Sequence, residues 1–181
     1  MQMNALPMNR EATLKRIKQL TWLFIIGLVI SGATAIPLRT ELDFAATLLG
    51  GTDLVHQAQS TGFTRWILRV REAVRNTGTL YPFMAYGTDW LAFGHFAIAI
   101  AFIGPLRDPV RNRWIYLFGM IACVLVIPYA MIFGGIRGIP FGWRLIDCSF
   151  GVFGFIPLWL CYRWSGELES LAARASPPVR S

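Results

Sequence analysis

Four long apolar runs, at 20–38, 90–106, 114–134 and 145–162, dominate this chain of 181 residues. A helix needs roughly 17–25 predominantly apolar residues to cross the hydrocarbon core of a bilayer. The run at 114–134, WIYLFGMIACVLVIPYAMIFG, has no charged side chain. Those at 90–106 and 145–162 carry one histidine and one aspartate, respectively. A buried helix of a soluble domain can match one such run, but not four in succession. Hydrophobic residues make up 55% of the chain, in keeping with lipid as its solvent. The expected fold is an all-α integral membrane protein in one domain. Four transmembrane helices form a bundle, with two short amphipathic interfacial helices in the outer 39–86 segment.

The first run has a second reading. Lys15, Arg16 and Lys18 precede it and Ala33-Thr34-Ala35 lies near its end, which is the pattern of a cleaved signal peptide. Yet the apolar stretch continues through Ile36, Pro37 and Leu38, and Gly27, Ser31 and Ala35 recur every four residues. Such a stripe lets transmembrane helices approach closely, and a discarded segment has no use for it. A retained helix is the favoured reading.

Four spans put both termini on one side. Arg10, Lys15, Arg16, Lys18, Arg107, Arg111, Arg113, Arg163, Arg174 and Arg180 fall there, against Arg39, Arg65, Arg69, Arg71, Arg75, Arg137 and Arg144 opposite. Four of the second set sit in one long segment, and long loops weigh little in the positive-inside rule. Both termini are expected in the cytoplasm, in a plasma membrane of the bacterial inner-membrane kind. The net charge of +7 is then accounted for by flanks that set topology and attract anionic headgroups. No basic patch with interleaved aromatics marks a nucleic-acid partner. Cys123, Cys148 and Cys161 all lie in spans. Cys148 and Cys161 are about 20 Å apart along one helix, too far to bridge, and all three read as small packing residues.

Between the spans, 1–19 reads as a polar lead-in with a short helix over 11–18. The loop at 107–113 turns at Asp108-Pro109, and the Gly- and Pro-rich 135–143 loop lies in the interface. A disordered tail is expected from about residue 170. In the outer segment, Thr40 with Asp43 resembles a helix start, and Gly50-Gly51 its end. A second helix over 63–76 places Phe63, Trp66, Ile67, Val70 and Val74 on one face and Arg65, Arg69, Glu72 and Arg75 opposite. That is the pattern of a helix lying in the membrane plane. Glu72 is spaced to offset Arg69 and Arg75.

Ionisable groups are costly in lipid and mark candidate sites by default. Asp89 and His95 on the second span, and Asp147 on the fourth, are the candidate catalytic groups. On the fourth span Arg144, Asp147, Gly151, Gly154, Leu158 and Cys161 share one face, and Arg144 and Asp147 are spaced to pair. Arg144, Asp147, Gly151, Gly154, Tyr86, Asp89 and His95 form the candidate ligand-binding set. The competing readings are an interfacial anchor with packing glycines, and for His95 a neutral ring bonded to a carbonyl or serine across an interface. His95 and His56 are weak candidates for haem or metal, because no close-spaced ligand motif contains either. No cofactor is expected.

Nucleophile elbows, phosphate loops and dinucleotide fingerprints are all absent. Three functions remain. The favoured one is a non-enzymatic accessory subunit, or a module that binds a lipid-like ligand or partner protein. The others are a small membrane enzyme with a polar site at the outer interface, and an oligomeric transporter. Expected partners are membrane lipid, a partner membrane protein or further copies of the chain.

Overall fold

The computed structural model describes residues 10–49 and 62–175; the expected helix end at Gly50-Gly51 and the weak metal candidate His56 lie outside these described residues. All regular structure in the described residues is helical. Helix α1 spans Arg10–Ala35, α2 Leu38–Leu48 and α3 Gly62–Leu80. A 3-10 turn at Pro82–Ala85 leads into α4 at Tyr86–Ala101 and α5 at Ile103–Arg107. Helices α6, Arg113–Ile136, and α7, Phe141–Ala175, complete the chain.

Four stretches are long and apolar enough to cross a membrane: Arg10–Ala35, Pro82–Arg107, Arg113–Ile136 and Phe141–Arg174. The runs at 90–106, 114–134 and 145–162 each lie inside one of them, whereas the 20–38 run is cut at Ala35, with Ile36 and Pro37 in a turn and Leu38 opening the next helix. Residues 10–19 of the polar lead-in are the first part of α1, and α7 continues to Ala175, past the point where the tail was expected to begin. Proline sets two of the boundaries. Pro105 has no N–H to offer the Ala101 carbonyl four residues back, and the helix breaks there into α4 and α5. Pro37 disfavours helical backbone at Ile36 and lacks a donor of its own. It therefore ends α1 and opens α2, with the Glu41 N–H on its carbonyl at 3.0 Å. Helix α2 thus starts at Leu38, ahead of Thr40 and Asp43.

The chain divides into two compact units, Met1–Ile26 with Ala99–Ser181, and Gly27–Ile98. The first is built on the antiparallel pair α6–α7. Between them, Gly138 adopts φ +69°, and Ile139 donates to the Gly134 carbonyl at 2.8 Å while Gly138 donates to that of Gly135 at 3.1 Å. This is a Schellman closure, which satisfies carbonyls left over at a helix end. Small residues then let the two helices meet. A Cβ on Gly151 would stand 2.5 Å from the Cys123 carbonyl oxygen, and one on Gly119 would stand 2.7 Å from Leu158 Cδ1. Close backbone approach at small residues is the packing by which transmembrane helices associate.

The first part of α1 joins this pair through a buried polar contact. The Thr21 hydroxyl donates to the Ile17 carbonyl at 2.8 Å. Its single proton is thus committed, so the Tyr116 hydroxyl donates to Thr21 across 2.7 Å. Cys161 points its thiol at the same Ile17 carbonyl, 3.7 Å away. Phe102 packs against Phe24 and Tyr116, with ring centroids 4.7 and 6.1 Å apart. At the far end of the pair, Arg113 stacks on Tyr162 at 3.9 Å and donates to the Tyr162 carbonyl at 3.0 Å.

In the second unit Gly32 on α1 faces α4, where a Cβ would stand 3.0 Å from His95 Cβ and 3.1 Å from the Ala92 carbonyl oxygen. Helix α2 packs on α3, and Ala46, Ile67 and Leu68 are the buried apolar side chains of the two. Helix α3 is longer than the 63–76 expected. It runs through Gly78, helped by Thr79 Oγ1 donating to the Arg75 carbonyl at 2.9 Å. Asp43 is the acid that meets its arginines, accepting from Arg71 Nε at 2.6 Å with Arg75 at 3.8 Å.

Candidate functional site

The end of the α6–α7 pair at the 137–140 turn gathers Arg144, Asp147 and the last two turns of α6. The Schellman turn brings the chain straight back, and Pro140 accepts from the N–H groups of Trp143 and Arg144 at 3.0 and 3.1 Å. The start of α7 therefore lies against Gly134 and Gly135. Arg144 crosses to α6 here: a Cβ on Gly134 would stand 2.6 Å from its Cδ. Its Nη1 is 3.4 Å from the Met131 carbonyl, and its guanidinium carbon lies 5.5 Å from the Phe141 ring centre. The spacing of Arg144 and Asp147 permits a pair, but the arginine goes elsewhere. Bare backbone at two glycines makes room for its stem, and a cation is favoured beside the negative end of a helix dipole.

Asp147 is left to line a groove of about 290 Å³ with Val126, Tyr129, Phe133, Gly134 and Arg137. The walls are apolar and aromatic. Both charged groups belong to the loop end, Arg137 on the turn and Asp147 on the second turn of α7. Tyr129 stacks on Phe133 with centroids 4.5 Å apart and remains 66% exposed, so its ring is available to an incoming group. A second groove, of about 400 Å³, is lined by apolar and aromatic side chains without a charge and runs along Leu117, Ile121, Val124, Phe155, Trp159 and Tyr162 of the same helix pair.

The two glycines of the expected binding stripe have a neighbour already. Gly151 meets the Cys123 carbonyl, and a Cβ on Gly154 would stand 3.0 Å from Cys123 Sγ and 3.5 Å from Phe24. Leu158 and Cys161, further along the stripe, are buried. This face of α7 is where α6 and α1 pack.

Tyr86, Asp89 and His95 belong to the other unit, on α4. Tyr86 is exposed and sits edge-on to Trp90, centroids 5.9 Å apart. Asp89 is exposed in the first turn of α4, where a carboxylate complements the helix dipole. His95 Nδ1 lies 2.8 Å from the Leu91 carbonyl of its own helix. A carbonyl only accepts, so Nδ1 is the donor of this contact. Among the described residues no three His, Cys, Asp or Glu side chains converge as a metal site.

Sequence reasoning missed two parts of this picture. The Asp43–Arg71 contact had a signal, since Arg71 falls one turn from Ile67 and beside Val70 and Val74, on the apolar side of α3. The polar junction of Thr21, Tyr116 and Cys161 had none, because it joins three separate helices. Searches of known protein families, curated proteins and solved structures found no match to this chain.

Proposed function

We propose that this is an integral membrane protein of the plasma membrane, with both termini cytoplasmic, which works as a non-enzymatic binding module for a lipid-like ligand or partner protein. The groove beside Asp147 is its binding surface. Its shape and chemistry carry the reading: a run of apolar and aromatic side chains, Val126, Tyr129 and Phe133, ends in a carboxylate and a guanidinium. An acyl chain, or an apolar helix with a polar end, matches that gradient from hydrocarbon to headgroup depth. The close-approach surfaces of α6 and α7 are already spent on each other, whereas the aromatic groove is open to a partner and, unlike the second groove, has charged groups at one end.

Native mass spectrometry of the full-length protein, released from its own membranes, tests this. A bound mass is expected on the wild type and is reduced several-fold by Ala130→Trp, because Ala130 lines the groove between Val126 and Phe133 and an indole there takes up its space. Retention of the same mass by a folded Ala130→Trp variant overturns the assignment. The position of Asp147 in the groove also keeps a catalytic reading in play. That reading requires Asp147→Asn to abolish function while the ligand is still held; loss of the ligand itself favours binding alone.

A further inference from the structure

The opposite end of the same unit carries a groove that the proposed function does not use. Its volume is about 370 Å³, and its lining includes Arg10, Leu14 and Lys18 of α1, Arg107 of α5, Asp108 of the following turn and Leu168 of α7. Three cations from two helices thus face one acid. Asp108 is already engaged, since its Oδ1 accepts from the N–H groups of Val110 and Arg111 at 3.2 and 3.0 Å. Four arginines elsewhere meet carboxylates: Arg71 and Arg75 on Asp43, Arg113 on Glu169 and Arg163 on Glu167. Arg10, Lys18 and Arg107 form no ion pair among the described residues.

The place of the groove says what kind of anion would fit. Lys18 stands just before the apolar run of α1, and Arg107 closes the Pro82–Arg107 stretch. Trp22, one turn after Lys18 near the start of the apolar run of α1, and Trp114, in the first turn of α6, are 52% and 64% exposed, as residues of an aromatic belt are. The groove therefore falls at headgroup depth. Leu14 and Leu168 put apolar wall beside the cations, which suits a phosphate joined to glycerol and acyl chain better than a fully hydrated ion. Juxtamembrane cations attract such headgroups.

We infer that Arg10, Lys18 and Arg107 form a discrete site for the phosphodiester of an anionic phospholipid. It is separate from the groove at Asp147, and its test uses different variants. The probes are phosphatidylglycerol, phosphatidylcholine and inorganic phosphate, each added to full-length protein stripped of lipid and read by native mass spectrometry. The wild type retains phosphatidylglycerol in preference to phosphatidylcholine. Lys18→Gln and Arg107→Gln each lower its occupancy about fivefold, and Arg107→Lys restores it. Arg16→Gln removes the same charge from an exposed position of α1 outside the groove and leaves occupancy unchanged. An equal loss with Arg16→Gln overturns the site in favour of diffuse attraction. Equal retention of phosphatidylcholine overturns it as well, and so does binding of inorganic phosphate without the lipid.

Discussion

Asp43 links α2 to α3 by holding Arg71 at 2.6 Å and Arg75 at 3.8 Å. The hydrogen bond from Arg71 holds its carboxyl below the usual carboxylate range, against the opposing effect of desolvation and with help from the charges of Arg75 and Arg39. A group whose pKa is lowered by folding stabilises the fold above its unfolded value. That contribution fades as pH falls through the folded one. Asp43→Asn is therefore expected to lower the melting temperature at neutral pH, and the gap between variant and wild type should close below about pH 4. A gap that persists unchanged into acid would show that Asp43 acts through packing rather than charge. The sequence showed both residues, and even Arg71 on the apolar side of its helix, but not their meeting. Spacing along a chain reports which face a residue occupies. What that face touches is settled by how α2 and α3 pack, and 28 residues separate the partners.

At the scale of elements, the α6–α7 pair shows the same division between face and partner. The stripe of Gly151, Gly154, Leu158 and Cys161 was legible as one face of a helix. That the Cys123 carbonyl lies against Gly151 was not. Arg144 and Asp147 were read as a pair because a helix places them one turn apart, yet glycines at 134 and 135 on the neighbouring helix offered the arginine a better place. Proline and glycine were the most readable punctuation: Pro37 divides α1 from α2, and Gly138 turns α6 into α7. The tightness of the pair has a direct test. Gly151→Leu forces side-chain atoms into the space of the Cys123 backbone, which cannot yield as a flexible side chain would. Overpacking of this kind costs typically about 1–3 kcal/mol, so a clearly lower melting temperature in detergent is expected. A variant as stable as the wild type would mean that the two helices do not meet at Gly151.

For the whole molecule, the long apolar runs made the four helices legible before any contact was known, because length and hydropathy are properties of the chain alone. Their side chains agree with a lipid surround. Leu125, Tyr129, Phe150 and Phe153 are among many large apolar groups more than half exposed, an arrangement water would penalise heavily. The orientation rests on the distribution of lysine and arginine. The central claim, a chain crossing the membrane four times with its termini inside, is tested most directly by labelling added cysteines in intact cells with a membrane-impermeant thiol reagent. The native Cys123, Cys148 and Cys161 are buried and give a low background. Cysteines placed at exposed Thr79 and Pro140 should label in intact cells, and one at exposed Arg111 only after the membrane is opened. The protein should also stay with the membranes in alkaline carbonate. Equal labelling of all three positions in intact cells, or release of the protein by carbonate, would contradict the four-span account; the reversed pattern would contradict its orientation.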